Sequence, residues 1–378
     1  MTQKTITILG STGSVGQSTI DLIKAHPDKF KVTALTAGKN VKLLAQQCRE
    51  LSPHIAAIAD ETYYNDLKNE LSGLPIEIRT GEAGIVETAA TEVDLCIAAI
   101  VGFAGLKPLM EAIAHTKAVA IANKEPLVAA GHIVMAKARQ CGTTLLPIDS
   151  EHNAIFQVLE EHNHAQIKRI ILTASGGPFR TWKKERMNNA APSEALKHPN
   201  WSMGAKISID SASMMNKALE IIEAHHLFNL PPDKIDVLIH PQSIIHSMVE
   251  YEDGSTLAQL GAPDMRTPIA HALAHPQRMS TTGQTLDWTK IGALTFEQPD
   301  YDKFLALPLA YECLRAGIHA CIAFNAANEV AVKAFLEKEI PFGTIVRRVE
   351  HAVKSATPHT LDTLDDIIAY DAEIRAAQ

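Results

Sequence analysis

The feature that most restricts the fold lies at the start of the chain. A short apolar run, Thr5–Leu9, meets the turn Gly10-Ser11-Thr12-Gly13-Ser14-Val15-Gly16, which opens a helical stretch at Ser18–His26. Strand, glycine turn and helix in that order begin a βαβ unit, and the alternation continues. Lys31–Thr36 predicts a second strand, Val41–Leu51 a helix and Ile55–Ala59 a third strand. Asp94–Val101 and Ala118–Ala122 are apolar enough to be strands buried on both faces. This pattern predicts an α/β domain with a parallel, Rossmann-type sheet over residues 1–149.

The glycine turn carries chemistry because of where it sits. Glycines let the backbone approach a pyrophosphate, and the helix N-terminus adds amides and a positive dipole end. The spacing is GxxGxxG rather than GxGxxG, so an ordinary glycine-rich turn is the competing reading; the strand before it and the helix after it favour a dinucleotide. The second strand ends in Gly38-Lys39-Asn40, with no carboxylate in reach to hold a ribose hydroxyl. A lysine and an amide suit a 2′-phosphate, which favours NADP(H), unless Lys39 is only a solvated surface charge.

Residues 150–274 read differently. Ile167–Thr173, Lys206–Ile209, Lys234–His240, Ile244–Tyr251 and Thr256–Leu260 look like strands, and Glu252-Asp253-Gly254-Ser255 is a hairpin signal. This predicts a central α/β catalytic domain with antiparallel strands. Within it, about 178–205 is a long segment with one short helix at Ser193–Lys197, which suits a lid. Residues 275–300 have a linker's composition. From 301 to 378 four helices are expected, at Leu305–Ala316, Ala326–Glu339, Gly343–Ser355 and Leu361–Ala377, with Asn325 and Thr360 as caps.

Composition removes several classes of function. Lys and Arg total 35 against 43 Asp and Glu, a net charge of −8, which lacks the basic footprint of a nucleic-acid binder. The most apolar run, Leu95–Leu106, falls well short of the roughly 20 residues of a membrane span. The N-terminus has no signal-peptide core, and the five cysteines form no CxxC pair. The expectation is a cytoplasmic protein without nucleic-acid or membrane partners.

Asp149-Ser150-Glu151 follows an apolar run, and in extended chain residues i and i+2 point the same way, so the two carboxylates can share a ligand. All-oxygen ligands suit Mg²⁺ or Mn²⁺; the competing reading is an N-cap at Ser150. Asn216, Lys217 and Glu220 share one flank of a helix predicted over Ser211–Glu220. They complete a metal and anion site, or else Lys217 and Glu220 form a surface pair of little energetic value. Ser175-Gly176-Gly177-Pro178 offers amides and a hydroxyl to a phosphate. His198 and Trp201 share a glycine-ended segment, His198–Gly204, which reads as part of the lid.

At this level of detail the chain resembles the 1-deoxy-D-xylulose 5-phosphate reductoisomerase family over essentially its whole length. The stretches that carry the resemblance are GSTGSVG, ANKEPLV, LPIDSEHNAIFQ, LTASGGPFR, HPNWSMGAKISIDSASMMNKALE, LIHPQSIIHSMV, LAQLGAPDMRTPI and FNAANEVAV. The resemblance implies a V-shaped homodimer that converts 1-deoxy-D-xylulose 5-phosphate into 2-C-methyl-D-erythritol 4-phosphate, in the non-mevalonate route to isoprenoids. It implies retro-aldol cleavage, realdol addition and reduction of the resulting aldehyde. By motif position, Thr12, Gly13, Ser14, Val15, Gly38, Lys39, Asn40, Asn123, Glu125 and Gly204 would contact NADPH. Asp149, Glu151 and Glu220 would hold Mg²⁺ or Mn²⁺, with Co²⁺ also admitted by oxygen ligands. Lys124, Ser150 and Glu151 would meet the reacting end of the sugar phosphate, Lys124 and Glu151 as the catalytic pair that manages protons. Ser175, His198, Ser211, Asn216 and Lys217 would hold the phosphate end, under Trp201. One departure is visible: the family often has Arg where this chain has Lys39, which supplies charge but no bidentate fork.

Two other readings compete. A semialdehyde dehydrogenase also begins with a glycine-rich turn, but it needs a nucleophilic cysteine, for which Cys141 is the candidate. An NADPH-sensing regulatory protein would bind nucleotide without turnover and leaves the carboxylate trio unused.

Overall fold

The computed structural model describes residues 3–201 and 203–378, in two compact units. The first comprises residues up to Pro126, Val134–Asp149 and Met265–Gly283, and the second the remainder.

The first unit contains β1 (Lys4–Leu9), α1 (Ser14–Ala25), β2 (Phe30–Ala37), α2 (Val41–Leu51), β3 (Ile55–Ile58), α3 (Tyr64–Glu70), β4 (Glu77–Thr80), α4 (Gly81–Ala89), β5 (Val93–Ala98), α5 (Leu106–His115), β6 (Thr116–Ile121), most of α6 (Glu125–Cys141) and β7 (Thr144–Pro147). The strands form one sheet in the order β4-β3-β2-β1-β5-β6-β7, parallel throughout. Burial is unbroken along β3 and broken only at Asp94 in β5, whose apolar run Asp94–Val101 predicts a strand covered on both faces. The chain runs from β1 outward to β4 and then returns to β5 on the other side. The carboxyl end of β1 is therefore the switch point where such sheets bind ligands. Edge strand β4 carries too few apolar residues to be read from sequence.

The second unit has α7 (Ser150–Val158), β8 (Ile167–Ala174), α8 (Lys184–Asn188), α9 (Pro192–Ala195), α10 (Ala205–Ala212), α11 (Met215–Phe228), β9 (Ile235–Ile239), β10 (Ile245–Tyr251) and β11 (Thr256–Leu260). Its sheet runs β11-β10-β8-β9, antiparallel except for β8–β9. The β10–β11 hairpin turns at the expected tetrapeptide, where the Asp253 side chain accepts from Ser255 N at 2.8 Å. Next in sequence, α12 (Arg266–Ala274) belongs to the first unit and packs on α1, and Lys4 Nζ donates to Leu273 O at 2.8 Å. Glu297 then bridges Ile239 of the second unit. The C-terminal helices are α13 (Ala306–Ala316), α14 (Ile318–Leu336), α15 (Phe342–Ser355) and α16 (Leu364–Ala376).

Three sequence expectations are corrected. Lys206–Ile209 is not a strand but the first half of α10: its Lys-Ile-Ser-Ile alternation imitates a strand, and packing against α9, α11 and α14 decides for helix. The helix expected over Ser211–Glu220 is two helices, broken at Met214, which stands in the left-handed region at φ 60°. Asn325 caps nothing. It lies wholly buried inside α14, which starts directly after Gly317, while Thr363 rather than Thr360 caps α16 in a reciprocal pair with Asp366.

Candidate functional site

At the end of β1 the glycine turn is held by a buried polar clamp. Gly10 N donates to Thr36 Oγ1 at 2.9 Å, Ser11 Oγ donates to Gln47 Oε1 at 2.7 Å, and Gln47 Nε2 donates to Ser11 O at 3.0 Å. Gly10 has φ +86° and no room for a Cβ against Ala99 O. Gly13 caps α1 without a side chain, and the first turn carries no acidic residue. Thr12, Gly13, Ser14 and Val15 thus lead into a positive helix end that no side chain caps, an arrangement that suits an anionic pyrophosphate. Close by, Leu9, Ala98, Ile100, Asn123 and Pro126 line a crevice at the carboxyl ends of β1, β5 and β6. Asn123 Nδ2 donates to Gly102 O at 2.8 Å, and Glu125 is buried in the first turn of α6.

At the end of β2, Gly38 has open space above its Cα, and Asn40 caps α2 by accepting from Leu43 N at 3.2 Å. Lys39, Asn40, Lys42, Arg49 and Tyr63 line a cleft. Here the sequence reading missed a residue. A carboxylate is in reach after all: Asp60, at the end of neighbouring β3, lies 3.6 Å from Lys39 Nζ. Asp60 Oδ1 accepts from Thr62 N and Oγ1, and these bonds, with Lys39, hold its carboxyl below the usual range. Only sheet adjacency brings Asp60 there, and sequence spacing does not report that.

The acidic site forms where β7 runs into α7. One carboxylate oxygen from each of Asp149, Glu151 and Glu220 lies within 4.8 Å of the other two. Asp149 and Glu220 are buried and Glu151 half-buried. Three carboxylates gathered out of water repel one another unless cations hold them. Lys124 Nζ lies 2.6 Å from Asp149. Lys217 Nζ pairs with Glu220 and stands 3.7 Å from Glu151, and Asn216 Nδ2 donates to Glu220 Oε1 at 2.5 Å. The surface-pair reading of Lys217 and Glu220 fails, because both are buried. The oxygen-only donor set fits a hard divalent cation such as Mg²⁺ or Mn²⁺. Behind it sits a pair the sequence did not reveal: buried His152 Nδ1 meets Glu223 Oε2 at 3.0 Å while its Nε2 meets Glu220 O at 3.0 Å, joining α7 to α11.

Around the α10–α11 break, Ser211 ends one helix as Asn216 and Lys217 begin the next. Gly177, at φ +67°, packs on the Ser211 carbonyl, where a Cβ would sit 2.6 Å from the oxygen. The Ser175 turn is thereby seated on the Ser211 backbone. His198 Nδ1 accepts from Asn200 N (3.1 Å) and Trp201 N (2.9 Å), so the ring proton is on Nε2, which donates to Ser175 Oγ at 3.0 Å. Gly177 N also donates to that oxygen, at 3.2 Å. With both acceptor positions of Ser175 used, its O–H is left to donate to an anion. Earlier in the same segment Phe179, Met187 and Ala195 are buried in the core, Phe179 against Phe342 at 5.1 Å between ring centroids. Trp201 is half-buried with its ring 6.2 Å from His246, and Gly204 caps α10.

Burial lowers the His198 pKa from 6.5 to about 4. An unfolded imidazole takes up its proton near pH 6.5, before the folded one does, so stability falls as pH drops from 6.5 to 4 and is unaffected by this group above 6.5. The His198 ring is expected to titrate with a midpoint near 4 by NMR; a midpoint near 6.5 would refute the neutral, Ser175-donating ring.

Burial pushes the Cys48, Cys96 and Cys321 thiols up to about 12, which makes them poor nucleophiles, whereas Cys141 is exposed at the end of α6. Among the described residues no helix is long and apolar enough to cross a membrane.

Three domain models match in chain order: 1-deoxy-D-xylulose 5-phosphate reductoisomerase at residues 6–131, its C-terminal domain at 145–228, and the DXP reductoisomerase C-terminal domain at 260–377. The 1-deoxy-D-xylulose 5-phosphate reductoisomerase of Zymomonas mobilis is 53% identical over 98% of this chain and 96% of its own length. The structure of the enzyme from Zymomonas mobilis in complex with NADPH superposes with a TM-score of 0.93 at 51% identity, covering 99% of this chain and 98% of that one. A DOX-P reductoisomerase in complex with NADPH, fosmidomycin and magnesium gives 0.96 at 44% identity, covering 99% and 97%. With that identity sustained from end to end, the chain belongs to the 1-deoxy-D-xylulose 5-phosphate reductoisomerase family.

Proposed function

We propose that this chain carries out the NADPH- and divalent-metal-dependent rearrangement and reduction of 1-deoxy-D-xylulose 5-phosphate to 2-C-methyl-D-erythritol 4-phosphate, a step toward isoprenoid precursors. The observation that carries the reading is the carboxylate trio Asp149, Glu151 and Glu220, two of them buried, in a chain whose first unit opens α1 from a glycine turn with no side-chain cap. NADPH lies along the first unit, its pyrophosphate on Thr12–Val15 and its 2′-phosphate toward Lys39 and Asn40. Gly38, Asn123, Glu125 and Gly204 complete its contacts. Asp149, Glu151 and Glu220 hold Mg²⁺ or Mn²⁺. A bound cation there supplies Lewis-acid stabilisation of negative charge on substrate oxygens, and bound NADPH supplies the hydride.

The protein's own groups do the rest. Ser175, Ser211, Asn216 and Lys217 grip the phosphate, with His198 keeping the Ser175 hydroxyl proton aimed outward. Binding energy gathered at the phosphate, remote from the reacting carbons, is available to order Trp201 over the substrate and exclude water. Lys124, Ser150 and Glu151 face the reacting end, where Lys124 and Glu151 are the pair that manages protons. We also read the chain as a cytoplasmic homodimer, on the strength of the sequence resemblance.

The test is loss of NADPH absorbance with 1-deoxy-D-xylulose 5-phosphate and Mg²⁺, repeated with EDTA and after Mg²⁺ is restored. Oxidation that needs both substrate and metal is expected. Oxidation persisting in EDTA, or none in protein that binds NADPH, would overturn the reading. A cysteine-dependent dehydrogenase would instead lose activity on alkylation of Cys141.

A further inference from the structure

The motif Phe324-Asn325-Ala326-Ala327-Asn328 lies in α14, and nothing in the mechanism above uses it. Asn328 is completely buried, and its Nδ2 donates to Asp210 Oδ1 at 3.0 Å across the α14–α10 packing. Its Oδ1 makes no hydrogen bond among the described residues. An apolar side chain would fill this site at lower desolvation cost, so what the amide contributes is the grip on Asp210. Asp210 is itself only 1% exposed, and its other oxygen is held by Lys206 at 2.7 Å from the preceding turn. The carboxylate is thus fixed from its own helix on one side and from α14 on the other.

Asp210 sits at the point where α10 stops. Ser213 Oγ donates to the Asp210 and Ile209 carbonyls at 3.2 and 3.1 Å, and Met214 N donates to Ser211 O at 3.2 Å. The left-handed Met214 then redirects the chain into α11, whose first turn carries Asn216 and Lys217. We propose that Asn328 is a positioning residue for the reaction: by holding Asp210 it fixes the α10–α11 break and therefore the spacing of Ser211, Asn216 and Lys217. This rests on the reading that those three residues anchor the substrate phosphate. The C-terminal helices then contribute to substrate binding through one buried amide.

The experiment compares full-length Asn328→Ala, Asp210→Asn and the reciprocal Asp210→Asn/Asn328→Asp variant with Ser211→Ala and Asn216→Ala. KM for 1-deoxy-D-xylulose 5-phosphate, KM for NADPH, kcat and thermal midpoint are measured for each. A hydrogen bond to a buried charge, when lost, is large enough for Asn328→Ala to raise the substrate KM about tenfold. The NADPH KM is expected to stay within about twofold, and the reciprocal variant, which restores an amide–carboxylate pair, to recover most of the substrate KM. Unchanged substrate KM in Asn328→Ala, equal rises in both KM values, or no recovery in the reciprocal variant would each overturn the proposal. If Asn328→Ala is too unstable to assay, the near-isosteric reciprocal variant against Asp210→Asn alone decides it. Unchanged substrate KM in Ser211→Ala and Asn216→Ala would instead refute the phosphate-anchor reading, a separate result.

Discussion

Glu220→Gln is expected to lower kcat/KM by about 10³-fold at saturating Mg²⁺, with NADPH affinity essentially unchanged. Removing one anionic ligand weakens both the hold on the cation and its alignment, and several kcal/mol of transition-state stabilisation depend on that charge; each ~1.4 kcal/mol is tenfold in rate. Glutamine keeps the volume of a side chain that is 0% exposed, so no cavity is made. Lys217 loses its partner at Glu220 but keeps Glu151 at 3.7 Å, so the expected loss of stability is only about 2 kcal/mol. Steady-state kinetics over a Mg²⁺ titration, with NADPH binding followed by fluorescence, separates the effects. Turnover within a few-fold of the parent would show that Glu220 is no ligand. Recovery of full activity at high Mg²⁺ would place it in metal affinity alone.

What the sequence made legible, and what it hid, follows from how each signal arises. Strands β1, β2 and β5 were readable because a parallel sheet covered on both faces gathers apolar residues along its strands: Ile6, Ile8 and Leu9 in β1, Val32, Ala34 and Leu35 in β2, and Leu95–Ala98 in β5. The Asp149–Glu151 pair was legible as neighbours, but not for the reason of extended geometry: α7 begins at Ser150, so Glu151 meets Asp149 from the first turn of a helix. Spacing alone leaves Glu220 open between this site and a surface pair with Lys217, and the resemblance is what joins it to the other two carboxylates. Other residues were hidden for definite reasons. Asp60 reaches Lys39 only because β3 lies beside β2. The break at Met214 has no glycine to announce it. The start of α14 is hidden because that helix is buried on nearly all sides, so its apolar residues show no 3.6-residue rhythm, and its buried Asn325 resembles a cap. Asn328 in the same helix gave no functional signal in the sequence, since its partner Asp210 lies on a different helix.

The second large effect is expected at Gly16. A Cβ there would stand 2.4 Å from Gly10 O and 2.5 and 2.6 Å from the Cα and carbonyl carbon of Ser11. All three are backbone atoms of a turn clamped by Thr36 and Gln47, so none can yield without breaking those bonds. Gly16→Ala must therefore push the start of α1 off the turn and disperse the amides that receive the pyrophosphate. Its stability is expected to fall by about 3 kcal/mol, as for overpacking in a tight core. NADPH affinity is expected to drop at least about 100-fold, because misplaced amides forfeit several charge-assisted bonds at once. Gly13→Ala is the control, since its Cβ would meet only Gly10 O, at 3.4 Å, an ordinary contact. That variant is expected to fold with a near-parental thermal midpoint and to lose far less affinity. NADPH fluorescence titration and thermal melting of the two variants side by side make the comparison. If Gly16→Ala bound NADPH within about threefold of the parent, the nucleotide would not rest on this turn. Equal losses in both variants would mean that any side chain near the amides, rather than the close approach of α1, is what the site rejects.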